Sequence, residues 1–359
     1  MTRFAQQLID WQAQSGRHSL PWQQDRTSAN GPYRVWLSEV MLQQTQVKTV
    51  LDYYPKFLAK FPTVADLAKA PLDDVLALWS GMGYYTRARN LHKAAHQVVA
   101  DFGGQFPPTA ERLETLTGVG RSTAAAIAAF CFGERAAILD GNVKRVLTRV
   151  LAFEGDMSKA SEVKALWDLA TDLLPTQNLK TTMPAYTQAL MDLGATVCHA
   201  RSPACERCPA SQVCKAKQDE ASGARAIESY PVKTKKVKRS TESIWLLYAV
   251  SAKGEVLLEQ RSTDAPKGES KVWAGLYSLP PFESEAALLD ALPKSVAIAP
   301  QYQSAFKHVL THKDLWLHVV AVTLPANAKL VASQASWYPV AAALQLGLPA
   351  PIKKLLSTI

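Results

Sequence analysis

Leu116-Thr117-Gly118-Val119-Gly120-Arg121-Ser122-Thr123, followed at once by an alanine-rich run, is the stretch from which the fold is read. Glycines on both sides of Val119 allow a tight turn, and the backbone N–H groups that open the next helix are then free to take a phosphate oxygen. Such a turn is a phosphate grip with no base reading in it. A little further on, Ile138-Leu139-Asp140-Gly141-Asn142-Val143-Lys144-Arg145 puts a carboxylate at the head of another helix, with two cations one turn later. Judged from these residues alone, Asp140 reads first as a plain N-cap.

Working outward, 359 residues exceed one ordinary core and predict two or three domains. Lys+Arg 40 against Asp+Glu 31 gives a net charge of +9, which suits a polyanion such as nucleic acid or an anionic membrane surface, although solubility explains it as well. No apolar run reaches membrane-spanning length, and Met1-Thr2-Arg3-Phe4-Ala5-Gln6-Gln7 has no signal-peptide core, so no membrane partner and a cytoplasmic location are expected. Of the 5 cysteines, Cys131 stands alone in the alanine-rich helix and is expected in the core.

Taken in order, helices are predicted over Phe4 to Gln14 and Tyr33 to Tyr54, with a loop from Pro21 to Pro32 between them. Glu39 sits in the most apolar part of the second helix. Further helices fit Thr63 to Lys69, Leu72 to Trp79, Thr86 to Phe102, Glu111 to Leu116, Ser122 to Phe132, Asn142 to Phe153, Ala160 to Leu174 and Tyr186 to Leu193. Residues 218–240 read as a polar linker. Beyond it Ser243 to Val250, Val256 to Arg261 and Leu315 to Val322 read as strands, with helices at Glu283 to Ala291 and Val340 to Leu346. An all-α region over 1–217 and an α+β domain over 241–359 are the expected architecture.

Cys198, Cys205, Cys208 and Cys214 give the spacing C-x6-C-x2-C-x5-C. A reducing compartment favours a metal site over disulfides here. Zinc sites usually join two close pairs, whereas only Cys205 and Cys208 form one; four thiolates in so short a span also suit the corners of a [4Fe–4S] cluster. A structural role is expected, since no flavin or nicotinamide motif accompanies the loop 198–214. Arg201, Arg207, Lys215 and Lys217 around it suit phosphate.

Gly118-Val119-Gly120, the distance to Asp140 and this cysteine spacing together resemble the endonuclease III superfamily of helix-hairpin-helix base-excision DNA glycosylases. Leu20-Pro21-Trp22, Trp36 to Val47, Gly83 to Leu91 and Leu139 to Val146 resemble, within it, the adenine-removing MutY family over nearly all of the first 217 residues. The later domain resembles that family's Nudix-like domain. The resemblance implies a [4Fe–4S] cofactor and, as partner, double-stranded DNA holding adenine opposite 8-oxoguanine or guanine. It also implies a monomer, associated with the nucleoid if bacterial.

Removing adenine requires a protonated purine and a stabilised oxocarbenium sugar, so the site needs one neutral carboxylic acid and one carboxylate. Glu39, raised by burial among Trp36, Val40 and Leu42, is expected to serve the base nitrogen. Asp140, at a helix N-terminus beside Lys144 and Arg145, is expected to face the sugar carbon. The resemblance makes Asn142 an orienting partner and gives Gly118, Val119, Gly120, Lys144, Arg145 and Arg87 to the DNA backbone. It further assigns Gln44 and Tyr84 to the gap and wedge beside the opposite base, and Trp22, Leu42, Val47 and Gln188 to the adenine pocket. Bifunctional relatives carry a Schiff-base lysine where this chain has Ser122, and a hydroxyl cannot form that adduct. A hydrolytic, monofunctional enzyme is expected.

The chain departs from the family pattern at Gln23, Tyr186-Thr187 and Thr117. In the second domain only Glu283 and Glu285 follow Trp273 to Pro280, in the wrong arrangement for a magnesium-binding Nudix box. The resemblance instead assigns 8-oxoguanine reading to Leu310-Thr311-His312, although His308 and His312 read equally as strand-end histidines. Alternatives are a superfamily glycosylase acting on T:G mismatches or oxidised pyrimidines, and a non-catalytic binder of damaged DNA.

Overall fold

The computed structural model describes residues 1–234, 239–263, 272–294, 299–310, 313–326, 328, 330 and 334–358. They pack as two units, residues 1–69 with 93–236 and residues 70–92 with 237–359. Helices α1 (Arg3–Ser15), α2 (Gly31–Leu42), α3 (Val47–Lys60), α4 (Val64–Lys69), α5 (Leu72–Trp79), α6 (Thr86–Phe102), α7 (Ala110–Leu113), α8 (Arg121–Phe132), α9 (Gly141–Leu151), α10 (Ala160–Asp172), α11 (Leu179–Thr196) and α12 (Lys215–Ala221) follow in order. Of these, α5 and the start of α6 belong to the second unit.

At the centre of the first unit lies α8, whose Ala124 to Ala129 are all buried. Small side chains on every face let α2 and α11 pack closely against it. In α2, Trp36 and Met41 are wholly enclosed, each contributing roughly 2–3 kcal/mol of hydrophobic transfer. The single helix expected from Tyr33 to Tyr54 is broken after Leu42. Gln43 takes φ −58° and ψ 110°, and Gln44 a left-handed φ of 57°. The apolar spacing resumes in phase at Val47 after four polar residues, so periodicity does not reveal the break.

Other elements differ in extent. The helix expected at Tyr186 to Leu193 is longer, running over the whole of α11. Residues 218–240 are not simply a linker: α12 ends at Ala221, Ile227 and Tyr230 are buried, and Met157 N donates to Val232 O at 2.9 Å. Asp156 fastens the same segment by accepting from Thr234 N at 3.2 Å.

The second unit is built on a sheet of β1 (Ser240–Ser251), β2 (Glu255–Gln260), β3 (Tyr277–Ser278), β4 (Pro281–Phe282), β5 (Gln301–Tyr302), β6 (Phe306–Val309), β7 (Lys313–Leu324) and β8 (Ser336–Pro339). Strands β1 and β7 run parallel in register from Ser240↔Lys313 to Ser251↔Leu324. Leu246, Leu317 and Val319 face one core with Ile352 and Leu356. Leu247, Val320 and Val322 face the other with Leu288. Burial on both faces explains why both strands read as nearly unbroken apolar runs. Helices α13 (Glu285–Asp290), α14 (Val340–Ala343) and α15 (Ala350–Leu356) complete the unit. Glu285, one of the two carboxylates after Pro280, accepts from Tyr302 Oη at 2.7 Å.

Candidate active site and cysteine loop

Glu39 projects from α2, half-buried in the middle of its apolar face. Burial first and the charge of Asp140 second raise its carboxyl to about 7, against the opposing Arg26 guanidinium. The two acids expected to act together therefore lie within electrostatic reach, with one poised to hold a proton near neutral pH.

Asp140 is the N-cap of α9, with extended backbone at φ −73°, and its Oδ1 accepts from Asn142 N at 2.7 Å and Val143 N at 2.8 Å. The capping role and the chemical one are compatible, because Oδ2 makes no hydrogen bond among the described residues. Ser122 Oγ accepts from Leu139 N at 3.0 Å, bracing the residue before Asp140. Asn142 Oδ1 accepts from Arg145 Nη2 at 3.0 Å. A methyl group on Gly194 would stand 2.8 Å from Asn142 Cβ, so α11 approaches the head of α9 only because position 194 has no side chain.

Arg145, expected at phosphate, turns inward: Nε donates to Cys198 O at 2.8 Å and Nη2 to Gly194 O at 2.7 Å. It ties α9 to the first cysteine. The Lys144 ammonium makes no hydrogen bond among the described residues and remains available to an anion. In the hairpin, Gly118 takes φ 77° and Val119 N donates to Leu116 O at 3.0 Å. The N–H groups of Gly120 and Arg121 find no acceptor among the described residues, as a phosphate grip requires.

Trp22 is buried, with its ring edge-on to Tyr54 at 5.5 Å. Leu42 and Val47 stand half-buried on either side of the break that carries Gln44. Gln188, 5% exposed, accepts from Arg26 Nη2 at 2.7 Å and donates to Asp192 Oδ1 at 2.9 Å. Sequence reasoning missed Arg26, Asp192 and Arg17, which pairs with Asp192 at 2.7 Å. Their long separation from one another in the chain leaves no local signal. Gln23, a departure from the family pattern, donates to Arg17 O at 2.7 Å and so steadies the same loop. Cys131, expected in the core, is half-buried; burial pushes its thiol up to about 12, with the Arg26 charge opposing and the Glu39 charge adding to it.

Cys198, Cys205, Cys208 and Cys214 line one cavity with Val146, Leu193 and Arg149. Arg149 is 1% exposed and binds His199 O at 2.5 Å, Ala200 O at 2.9 Å and Tyr230 O at 3.3 Å, with Nη1 3.4 Å from Cys198 Sγ. A buried cation beside thiols suits an anionic, thiolate-held group. Among the described residues, however, no three His, Cys, Asp or Glu side chains are grouped as ligands of a metal ion.

In the second unit Tyr84 is 46% exposed at φ 50°. It lines a cleft of about 660 Å³ with Trp273, His308, Leu310 and Lys313. Arg87, expected at phosphate, has ring and carbonyl partners within the chain. It is 9% exposed, its guanidinium lies 5.2 Å over Trp79 and 5.3 Å over Tyr84, and Nη2 donates to Gly83 O at 3.2 Å. It supports the Tyr84 ring from behind. Leu310 O accepts from Arg239 Nη2 at 2.9 Å; Thr311 and His312 lie outside the described residues.

Residues 37–171 match the model of the HhH-GPD superfamily of base excision DNA repair proteins, and residues 245–358 match that of the NUDIX domain. The adenine DNA glycosylase of Buchnera aphidicola subsp. Baizongia pistaciae is 33% identical over 363 residues, 99% of this chain and 96% of that protein. The adenine DNA glycosylase of Rattus norvegicus is 45% identical over 227 residues, 61% of this chain and 42% of that protein. A thermostable thymine-DNA glycosylase superposes with a TM-score of 0.52 and 29% identity, covering 60% of this chain and 95% of that one. With an acid of raised pKa beside a capping carboxylate, a helix-hairpin-helix and a Nudix domain, the chain belongs to the adenine DNA glycosylases of base-excision repair.

Proposed function

We propose that this enzyme hydrolyses the N-glycosidic bond of adenine placed opposite 8-oxoguanine or guanine in duplex DNA and leaves the strand uncut. The observation that carries the reading is the Glu39 carboxyl held near neutrality beside Asp140. Glu39 gives its proton to the purine as the bond to the sugar breaks and the bonding electrons leave with the base. Asp140 faces the developing oxocarbenium ion, and water adds to the sugar carbon. Ser122 supports this course, since its hydroxyl braces Leu139 where a Schiff-base lysine would otherwise attack the sugar. The target base must leave the stack to reach these groups.

Reading of the opposite base is assigned to the cleft of the second unit, because Tyr84 and Leu310 line it together although far apart in the chain. Trp273 offers there the aromatic face that Leu310 lacks. The cysteine loop is assigned a [4Fe–4S] cluster held by Cys198, Cys205, Cys208 and Cys214. Bound there, it would cross-link the loop and fix its cations near the DNA backbone, without entering the reaction.

The test is a glycosylase assay on duplexes containing A:8-oxoG, A:G, T:G and thymine glycol. Release of adenine from the first two, with strand scission only after alkali, is expected. Preference for thymine or oxidised pyrimidine, or binding without release, overturns the proposal.

A further inference from the structure

Around Gln188 runs a chain of hydrogen bonds with a fixed direction. Arg26 Nη2 donates to Gln188 Oε1 at 2.7 Å, while the same guanidinium rests 3.9 Å over the Phe130 ring. From the other end of the amide, Nε2 donates to Asp192 Oδ1 at 2.9 Å. Asp192 is fully buried and is held by Arg17 through N to Oδ2 at 2.8 Å and Nε to Oδ1 at 2.7 Å. A guanidinium only donates, and a carboxylate paired with arginine only accepts. The amide can therefore stand in one sense alone, with oxygen toward Arg26 and nitrogen toward Asp192.

We propose that Arg26 is a specificity-determining positioning residue. By fixing Gln188 Oε1, it leaves that oxygen to accept from the 6-amino group of a flipped adenine and to repel the 6-oxo group of guanine or hypoxanthine. The inference rests on adenine being the base removed and on Gln188 lining its pocket. An amide turned over would offer an N–H at the same place and favour a 6-oxo purine. Donor and acceptor at position 6 are what separate adenine from guanine on that edge, so the sense of one amide decides which purine is accepted.

Single-turnover excision from duplexes carrying adenine, hypoxanthine or unsubstituted purine opposite 8-oxoguanine tests this, with melting temperatures measured for every variant. Arg26→Met removes the anchor on Oε1 while Asp192 still accepts from Nε2, and is expected to lower the ratio of adenine to hypoxanthine excision about threefold or more. Arg26→Lys, which keeps a donor, is expected to restore most of the ratio. Asp192→Asn, whose amide can donate as well as accept, is expected to lower it in the same direction. Purine, lacking a 6-substituent, should lose less than adenine does. Ratios between substrates also cancel any change at Glu39, on which the Arg26 charge acts.

An unchanged ratio in folded Arg26→Met overturns the inference. Should that variant not fold, an unchanged ratio in Asp192→Asn does so instead. A wild-type enzyme that releases no adenine overturns the underlying reading of the substrate, and the inference with it.

Discussion

Glu39→Gln is expected to stabilise the first unit while abolishing its chemistry. The carboxyl is raised from 4.5 to about 7 by burial first and Asp140 second. A folded-state pKa above the unfolded one means that the folded chain binds more protons between those values, so stability falls as pH rises through that window. The penalty is small at pH 4.5, grows to about pH 7 and is constant above. A shift of that size corresponds at most to about 3 kcal/mol, which partial exposure of the carboxyl reduces to roughly 1–2 kcal/mol. Glutamine keeps the shape and removes the charge. At pH 8 the variant should melt a few degrees above wild type, by roughly 2–4 °C per kcal/mol, and at pH 4.5 the two should nearly coincide. Calorimetry at both pH values, paired with single-turnover excision, reads this directly. Equal melting at pH 8, or an equal gain at both pH values, refutes the argument that Glu39 is held protonated by its surroundings.

Wild-type single-turnover excision should fall about tenfold per pH unit above roughly pH 7, since the acid must be protonated to act; a rate flat to pH 9 contradicts Glu39 as the proton donor. Asp140→Asn keeps an oxygen for the cap and should melt within about 1 kcal/mol of wild type while losing excision, whereas Asp140→Ala should add a capping loss of about 1–2 kcal/mol. Gly194→Ala brings a methyl group to 2.8 Å from Asn142 Cβ and should slow excision at least about tenfold by displacing the head of α9, with little change in DNA affinity. Cys205→Ser should abolish a visible absorption band present in the purified wild type; a colourless wild type contradicts the cluster.

Much of the site was legible because its chemistry is carried by short local motifs. The hairpin glycines, Asp140 after its helix and the cysteine spacing each announce themselves within a few residues. Glu39 was legible as a charge out of place in an apolar run. What escaped depends on partners that only folding supplies. Arg26 meets Gln188 across 162 positions, and Arg145 and Arg87 look like surface cations in sequence yet bond carbonyls and stack on rings. The break at Gln44 escaped because the apolar spacing resumes in phase at Val47 after the polar run Gln43-Gln44-Thr45-Gln46, which a continuous helix could also carry on its exposed face. Residues 218–240 looked like linker because their few apolar side chains show no extended periodicity, although two of them, Ile227 and Tyr230, are buried together with Cys214 and Ala216.

The most direct test places one adenine opposite 8-oxoguanine in a labelled duplex and follows free base and strand separately. The account predicts adenine release matched by strand breaks that appear only after alkali, with release lost in Glu39→Gln and Asp140→Asn. Strand breaks before alkali, or adenine release surviving either substitution, would contradict it.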